Sequence, residues 1–463
     1  MEQSPHLVQT LRREPLDSDA FSNAVQTLAT QSRESPDVRH ELAKSIPRLL
    51  QVIDKPKDVN QGVTAATLRC IGNACVDNQN ACQDFVAADF DLLYFVHLLE
   101  SDTPELRDLT LKLLYNLCSQ SEAAQKKCFE ACVHAPIISA VFEAAESDAD
   151  SSDLPPSLAI DLLFWITSQS RGRDAASKSL KEGLGGPALK RLLRLPSMLA
   201  ETLDIEDFAT LLEIFLVFSR DPEIQDYAAN ERLVDVIWKT LEINEGKVRE
   251  VEGDPEDHKL LVALSTSLTW ILSDVAASDS FAAMENFENS AFLARLLSLL
   301  TPDEGSPSAT PVGIPDGDLR LTIAACQVIG NYLHSKGSDA AVPLIQDRRI
   351  HQRLFAGMVA SDNADFLHSA AGLLIHLSRP SAQIREEVAS DSNAIAATER
   401  LGRHTVQQLN QDALMLMRAL GKETPSVQER FKPLAGEVMA SVAESQQAAA
   451  DAQATQPALG GIE

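Results

Sequence analysis

The sequence repeats one pattern along most of its length: an apolar helical segment, a short polar break, then another apolar segment. The pattern is clearest in LRCIGNACVDNQNACQDFV (68–86), LKLLYNLCSQSEAAQKKC (111–128) and CQVIGNYLHSKGSDAAV (326–342). Equivalent positions recur every 42 to 61 residues, at Asn73, Asn116, Trp165, Leu216, Trp270, Asn331, His376 and Arg418. Because one such unit cannot bury its apolar face alone, neighbouring units must stack to make a continuous core.

The spacing of apolar residues inside each unit is helical. Leu106, Leu109 and Leu113 follow one another at intervals of three and four residues. We find no long run that alternates apolar with polar residues, so strands are not expected. A repeat of this length is typical of armadillo and HEAT arrays. The sequence therefore predicts an all-α fold, an armadillo/HEAT-like α-solenoid superhelix of about eight or nine helical repeats.

Breaks in the pattern suggest a domain organisation. Residues 301–318 hold four prolines and three glycines, which predicts a flexible loop. We expect armadillo repeats in 1–300 and again in 319–440. Acidic inserts are expected at 146–156 and 244–258, and the Ala/Gln-rich segment 441–463 is expected to be a disordered tail.

The charge of the chain limits its partners. The sequence has 67 acidic and 40 basic residues, a net charge of −27. This disfavours nucleic acid, whose phosphates require Lys and Arg clusters, and unaided docking on anionic lipid. No apolar stretch approaches the length of a membrane span, so direct membrane insertion is not expected. Seven cysteines without a signal peptide predict reduced core thiols in a cytoplasmic protein.

The sequence contains no recognisable catalytic constellation. Phosphate-binding loops, HExxH and GxSxG motifs are all missing, so we predict a non-catalytic binding protein without a cofactor. Cys128, Cys132 and His134 have spacings that a metal ion could use, but no fourth ligand is near in sequence. We interpret them as core residues and expect no metal site.

The expected functional surface is the groove lined by the third helix of each repeat. Asn73, Asn116 and Asn331 share one register there, and an amide can both donate to and accept from a partner's main chain. An equally weighted alternative is that each amide binds the backbone of the neighbouring repeat. Acidic residues near the groove would attract a basic segment. The candidate partner-binding residues are Asn73, Asp77, Asn78, Asn116, Asp274, Asn331 and His376.

Two segments carry a family resemblance. IGNACVDNQNAC (71–82) and VIGNYLHSKGSDAAVPLI (328–345) resemble the armadillo-repeat signatures of the small-GTPase GDP dissociation stimulators (SmgGDS). The repeats around 318–342, 366–388 and 408–424 are similar to consecutive units of that family. The resemblance implies a solenoid that binds Rho- and Ras-type small GTPases through basic, prenylated C-terminal tails. It also implies stimulation of nucleotide exchange and a chaperone role, both without covalent chemistry.

Three other interpretations remain to be weighed. The segment LRCIGNACVDNQNAC (68–82) is also similar to the ataxin-ten armadillo scaffold, which implies other protein partners. Importin-α-like carriers use arrays of Trp followed four residues later by Asn, but here Gln169, Glu242 and Asp274 stand at those positions. A nuclear-import adaptor is therefore disfavoured. A cryptic enzyme would require acid and base groups clustered in the groove.

Overall fold

The structure is a computed structural model, and it describes residues 4–54, 60–88, 90–146, 156–168, 185–284, 287–301 and 319–455. Within these residues the regular secondary structure is helical and no strand occurs. The predicted all-α fold is confirmed. The chain divides into two compact units, which we call unit 1 (Met1–Ile224) and unit 2 (Gln225–Glu463).

The described α-helices of unit 1 are 7 to 16 residues long. In chain order they are α1 (Ser4–Arg13), α2 (Asp19–Glu34), α3 (Pro36–Ala43), α4 (Ile46–Asp54), α5 (Gln61–Cys75), α6 (Gln79–Ala87), α7 (Leu93–Leu99), α8 (Pro104–Cys118), α9 (Glu122–Glu130), α10 (His134–Glu146), α11 (Pro156–Ser168), α12 (Gly185–Leu199) and α13 (Ile205–Ser219). Helix α14 (Pro222–Asn230) spans the division between the units.

The described α-helices of unit 2 are 4 to 31 residues long. They are α15 (Val234–Glu250), α16 (Pro255–Ala276), α17 (Asp279–Ala282), α18 (Ala291–Leu300), α19 (Leu319–Lys336), α20 (Ala341–Gln346), α21 (Ile350–Ala360), α22 (Ala364–Leu377), α23 (Ala382–Ala389), α24 (Ala394–Gly402), α25 (Gln407–Gly421) and α26 (Pro425–Thr455). Short 3-10 turns lie at Phe287–Asn289 and Ser338–Ala340.

Most helices form triplets of a short first helix, a second helix and a longer third helix, as in α6, α7 and α8. Consecutive third helices pack against each other within each unit. They are α2, α5, α8, α11 and α13 in unit 1, and α16, α19, α22 and α25 in unit 2. This arrangement is an armadillo-like α-solenoid, in which each repeat buries its apolar side against its neighbours.

The turn from a third helix to the next first helix recurs with the same chemistry. A side-chain oxygen caps the new helix by accepting a hydrogen bond from a main-chain N–H, which satisfies one of the free donors there. The capping residues are Ser35, Asn78, Ser121, Ser278 and Ser381. These polar residues set the boundaries that separate one repeat from the next.

The turn from a first to a second helix uses the backbone instead. Cys132, Arg232 and Arg349 precede α10, α15 and α21 with φ between 53° and 57°. Left-handed backbone is uncommon for residues other than glycine. In two of the three turns the hydrogen bonds are those of a Schellman cap on the preceding helix: the N–H of Val133 donates to Cys128 O at 3.0 Å, and that of Leu233 donates to Ala228 O at 2.8 Å.

One predicted boundary is wrong. Helix α15 includes residues 244–250 and α16 begins at Pro255, so 244–258 is not an acidic insert. The physical reason is that Asn244 and Glu245 are buried in a polar network. The division of the repeats at 301–318 stays a prediction, and α16 and α19, which lie on either side of it in the sequence, pack together in unit 2.

Other segment predictions lie partly outside the described residues. These are the insert at 147–155, the loop at 302–318 and the tail at 456–463. Helix α26 continues to Thr455, so it includes residues 441–455, for which the composition predicted disorder.

Among the described helices, α16 is long and apolar enough to cross a membrane by length and composition. Helices α9 and α10 meet the same criterion only when they are taken together as one span, which is bent by 84°. Half of the apolar stretch of α16 is buried inside the fold. It packs between α15 and α19, as the core helix of a repeat does.

The seven cysteines are free thiols, as predicted. Six are buried, and Cys118 Sγ lies 3.8 Å from Cys128 Sγ. Burial raises the pKa of Cys70 to about 12, so this thiol stays protonated.

Candidate functional site

The amide donors of the three register asparagines point to the neighbouring repeat. Asn73 Nδ2 donates to Ser32 Oγ at 2.9 Å, and Asn116 Nδ2 donates to the carbonyl of Gly72 at 3.2 Å. Asn331 Nδ2 donates to Ser273 O at 2.9 Å and Ser273 Oγ at 3.2 Å. All three asparagines are half-buried. The geometry corresponds to the alternative in which the amides connect adjacent repeats.

We therefore expect Asn331→Ala to destabilise unit 2. The substitution removes two hydrogen bonds to acceptors on the half-buried Ser273, at a cost of about 1–2 kcal/mol. Thermal unfolding followed by circular dichroism should show a midpoint lowered by about 3–6 °C. Asn116→Ala should act in the same direction in unit 1, and Asn80→Ala, at an exposed site on α6, is the control. An unchanged midpoint for both register variants would show that these amides contribute nothing to repeat packing.

Asp77 and Asn78 form the turn after α5. Asp77 is exposed with a φ of 50°, and Asn78 Oδ1 accepts from the N–H of Ala81 at 3.2 Å. Asn78 thus caps α6, whereas the Asp77 carboxylate faces solvent.

Asp274 is exposed on α16, where its carboxylate lies 3.5 Å from Gln225 Nε2. Asn331 contacts Ser273, just as Asn116 contacts Gly72, the residue before Asn73. Asp274 therefore occupies the asparagine register in α16, and the predicted equivalence of Trp270 is wrong by one helical turn.

His376 is half-buried at the same register in α22. Its ring lies edge-to-face on His334, with centroids 5.4 Å apart. Burial first, then the charges of Arg379 and His334, lower its pKa to about 4. His376 is therefore a neutral packing residue near pH 7.

The third-helix face of unit 1 changes charge along the stack. One turn before Asn73 and Asn116 lie Arg69 and Lys112, both exposed, and Arg69 pairs with Glu105 at 2.5 Å. Further along the stack Asp161 replaces them, with its pKa raised by burial and by Glu206. Acidic residues were expected near the groove, and at this position unit 1 carries basic side chains first and an acidic one further along the stack.

Four residues of unit 2 lie one turn before the asparagine register: Trp270, Gln327, Gly372 and Met415. Trp270 is 66% exposed and Met415 is 55% exposed, and they are two of the seven large apolar side chains that are exposed among the described residues. We call this surface of α16, α19, α22 and α25 the Trp270 face. A Cβ added to Gly372 would meet no atom within 4 Å, so the space between Gln327 and Met415 is open.

A depression of about 260 Å³ lies beside Trp270 on this face. Its lining comes from three successive third helices and includes Trp270, Arg320, Ile323, Gln327, Asp365 and His368. Ile323 is buried, whereas Asp365 and His368 are exposed. The depression therefore combines an apolar floor, an aromatic wall and charged groups.

Two charged side chains of the depression, Arg320 and His368, are held in place by buried carboxylates. Arg320 Nε donates to Glu245 Oε1 at 2.6 Å, and Glu245 also accepts from Ser265 Oγ. His368 Nδ1 lies 2.6 Å from Asp412, and this hydrogen bond raises the pKa of His368 against the opposing effect of burial. The arginine and the imidazole are thus positioned before any ligand arrives.

Sequence reasoning missed the Trp270 face. Trp270 was placed in the wrong turn, and Gly372 and Met415 carry no motif that distinguishes them from core residues. One signal was available for Met415. The apolar residues that α25 buries follow a helical spacing, and Met415 lies outside the stripe that they form. In the part of the chain that the structure describes, no three His, Cys, Asp or Glu side chains are close enough to hold a metal ion.

No protein-family model matches the sequence, and no curated protein matches it. Among solved structures, the chain is similar to one described as "A conserved phosphorylation switch controls the interaction between cadherin and beta-catenin in vitro and in vivo". That match has 12% identity, covers 90% of this chain and 68% of that chain, and has a TM-score of 0.53.

Designed proteins are also similar to the chain. A designed armadillo repeat protein is 18% identical, covering 57% of this chain and 99% of its own, with a TM-score of 0.39. Computationally designed armadillo repeat proteins for modular peptide recognition are 16% identical, covering 57% and 98%, with a TM-score of 0.41. At these identities a likeness speaks for the fold alone, and the chain is an armadillo-like repeat scaffold.

Proposed function

We propose that this protein is a non-catalytic scaffold that binds an extended segment of a protein partner along the Trp270 face. The observation that carries the proposal is the exposure of Trp270 and Met415 on one row of stacked third helices. Exposed large apolar side chains grouped on a surface mark interaction sites, and Trp is enriched among residues that dominate binding energy. The similar structure concerned with cadherin and beta-catenin supports a protein as the partner.

We further propose that the partner is a small GTPase of the Rho or Ras type with a basic C-terminal tail. The support is the resemblance of the repeats in 318–424, which include three of the four helices of the Trp270 face, and the net charge of −27. A cytoplasmic location fits such a partner. Nucleotide exchange would require only that the scaffold bind the nucleotide-free GTPase more tightly than the nucleotide-bound form.

We expect the double variant Trp270→Ala, Met415→Ala to weaken partner binding by about 30-fold or more, because each truncation removes an exposed apolar contact. Isothermal titration calorimetry with the partner measures this change. The matched control is Met439→Ala, which removes another methionine of unit 2 that is 57% exposed. Thermal midpoints of all variants should agree with the parent, since exposed side chains contribute little to the core. Unchanged affinity in the double variant would remove the Trp270 face from the binding surface.

The identity of the partner is tested by release of fluorescent GDP from a panel of purified Rho- and Ras-type GTPases. We expect faster release with at least one member, and a smaller effect when its basic tail is deleted. The tail contribution should fall as salt rises, because charges at the surface are screened within about 10 Å at 0.1 M salt. A panel without any binding, combined with capture of a different defined protein on the Trp270 face, would favour the ataxin-ten-like alternative.

A further inference from the structure

We infer that the depression beside Trp270 is a subsite for one Lys or Arg side chain of the bound segment. The inference rests on the proposed function, because it assigns a partner residue to the same face. Its volume of about 260 Å³ is below that of pockets for drug-sized ligands, which start near 300 Å³, so it suits a single side chain.

Three groups in the depression favour a cation that donates hydrogen bonds. The exposed indole of Trp270 offers an aromatic face, where cations bind within about 6 Å of the ring centre. Asp365 supplies an exposed carboxylate. Gln327 Nε2 donates to Ser369 Oγ, while Gln327 Oε1 is buried and accepts no hydrogen bond from any described residue. A Lys ammonium or an Arg guanidinium satisfies all three.

The charge balance of the depression supports the same occupant. Arg320 is paired with Glu245, and His368 with Asp412, which leaves Asp365 as the excess charge. Glu245 and Asp412 do not line the depression. Counted with the lining residues Arg320, His368 and Asp365, they give a net charge of −1 with His368 protonated and −2 with His368 neutral. The groups come from α15, α19, α22 and α25, and the lining residues of α16 carry no charge.

The test uses the full chain and fluorescein-labelled octalysine and octaarginine, with octaglutamate as the control peptide. Anisotropy should report binding of the cationic peptides only. Trp270→Leu should weaken it about tenfold, while Trp270→Phe, which keeps an aromatic face, should retain most of it. Asp365→Asn should weaken it about fivefold. Asp235→Asn makes the same change at an exposed site on α15 and should leave affinity unchanged.

A second readout places the peptide. Trp238 is fully buried and Trp165 packs on Tyr115 in unit 1, so acrylamide quenching reports mainly Trp270. Octalysine should protect Trp270 from the quencher. In a separate measurement, the affinity for octalysine should rise as the pH is raised, because His368 then loses its proton.

Several results overturn the subsite. They are equal peptide affinity in Asp365→Asn and the parent, equal weakening by Asp235→Asn, or binding without protection of Trp270. Equal peptide affinity of Trp270→Leu and Trp270→Phe would contradict the aromatic contact.

The subsite and the proposed function can be contradicted independently of each other. A GTPase that binds the Asp365→Asn and Trp270→Leu variants normally contradicts the subsite alone, whereas intact peptide binding without any GTPase contradicts the proposed partner alone.

Discussion

Replacing Glu245 by Ala should lower the free energy of unfolding of unit 2 by about 3 kcal/mol. Glu245 is 2% exposed and accepts hydrogen bonds from Arg320 and Ser265. Its loss leaves a guanidinium and a hydroxyl in a buried site without their acceptor. The cost stays at the lower end of the usual range because the Arg320 side chain is 31% exposed and can be partly hydrated.

Chemical denaturation followed by circular dichroism measures this change. The matched control lies one turn away on the same helix, where Glu242 pairs with Arg295 at 3.5 Å and both side chains are at least a third exposed. Glu242→Ala should change the free energy of unfolding by less than about 0.5 kcal/mol. Equal effects of the two substitutions would show that the buried network adds nothing beyond a surface ion pair.

Lowering the pH from 7.5 to about 5.2 should reduce the stability contributed by His134 by about 2 kcal/mol. His134 is fully buried and stacks on Phe129 at 5.4 Å, and burial lowers its pKa to about 4. Between this value and the ordinary pKa near 6.5, the unfolded chain binds a proton that the folded chain does not. Acid therefore favours unfolding in this window, and the effect disappears above pH 6.5.

The effect is isolated by comparing the parent with His134→Leu, since carboxylates titrate in both. The difference between their free energies of unfolding should change by about 2 kcal/mol over this pH interval. The interval stays above the isoelectric point of about 4.7, where loss of net charge promotes precipitation. His97→Leu, at an exposed site, is the control. A parallel pH dependence of the parent and His134→Leu would mean that the pKa of His134 is the same in the folded and unfolded chain.

In unit 2, burial lowers the pKa values of His351 and His376 to about 4 in the same way. Because their pKa values are lowered to about the same value as that of His134, they add to the acid sensitivity in the same direction. The prediction for unit 2 has the same sign, and the His351→Leu variant tests it by the same comparison.

Much of the architecture is determined by the sequence itself. The spacing of Leu106, Leu109 and Leu113 gives a helix, and the polar residue before each first helix, such as Ser121 or Ser381, ends one repeat and caps the next. These are local effects of helical periodicity and of main-chain donors, so they can be inferred without knowing what each helix packs against. The stacking of repeats follows, because an isolated unit cannot bury its apolar side.

The tertiary structure alone decided which side of each third helix remains available to a partner. An asparagine at position 331 could bind either a partner or the neighbouring repeat. Only the distance of 2.9 Å from Asn331 Nδ2 to Ser273 O shows that its donor is used within the fold. Trp270 and Met415 would suit a core as well as a surface, and only the packed structure shows that both are exposed. The composition around Glu245 predicted an acidic loop, but Arg320, 75 residues later in the chain, binds the Glu245 carboxylate. Such contacts depend on distances between residues far apart in sequence, which periodicity and composition do not encode.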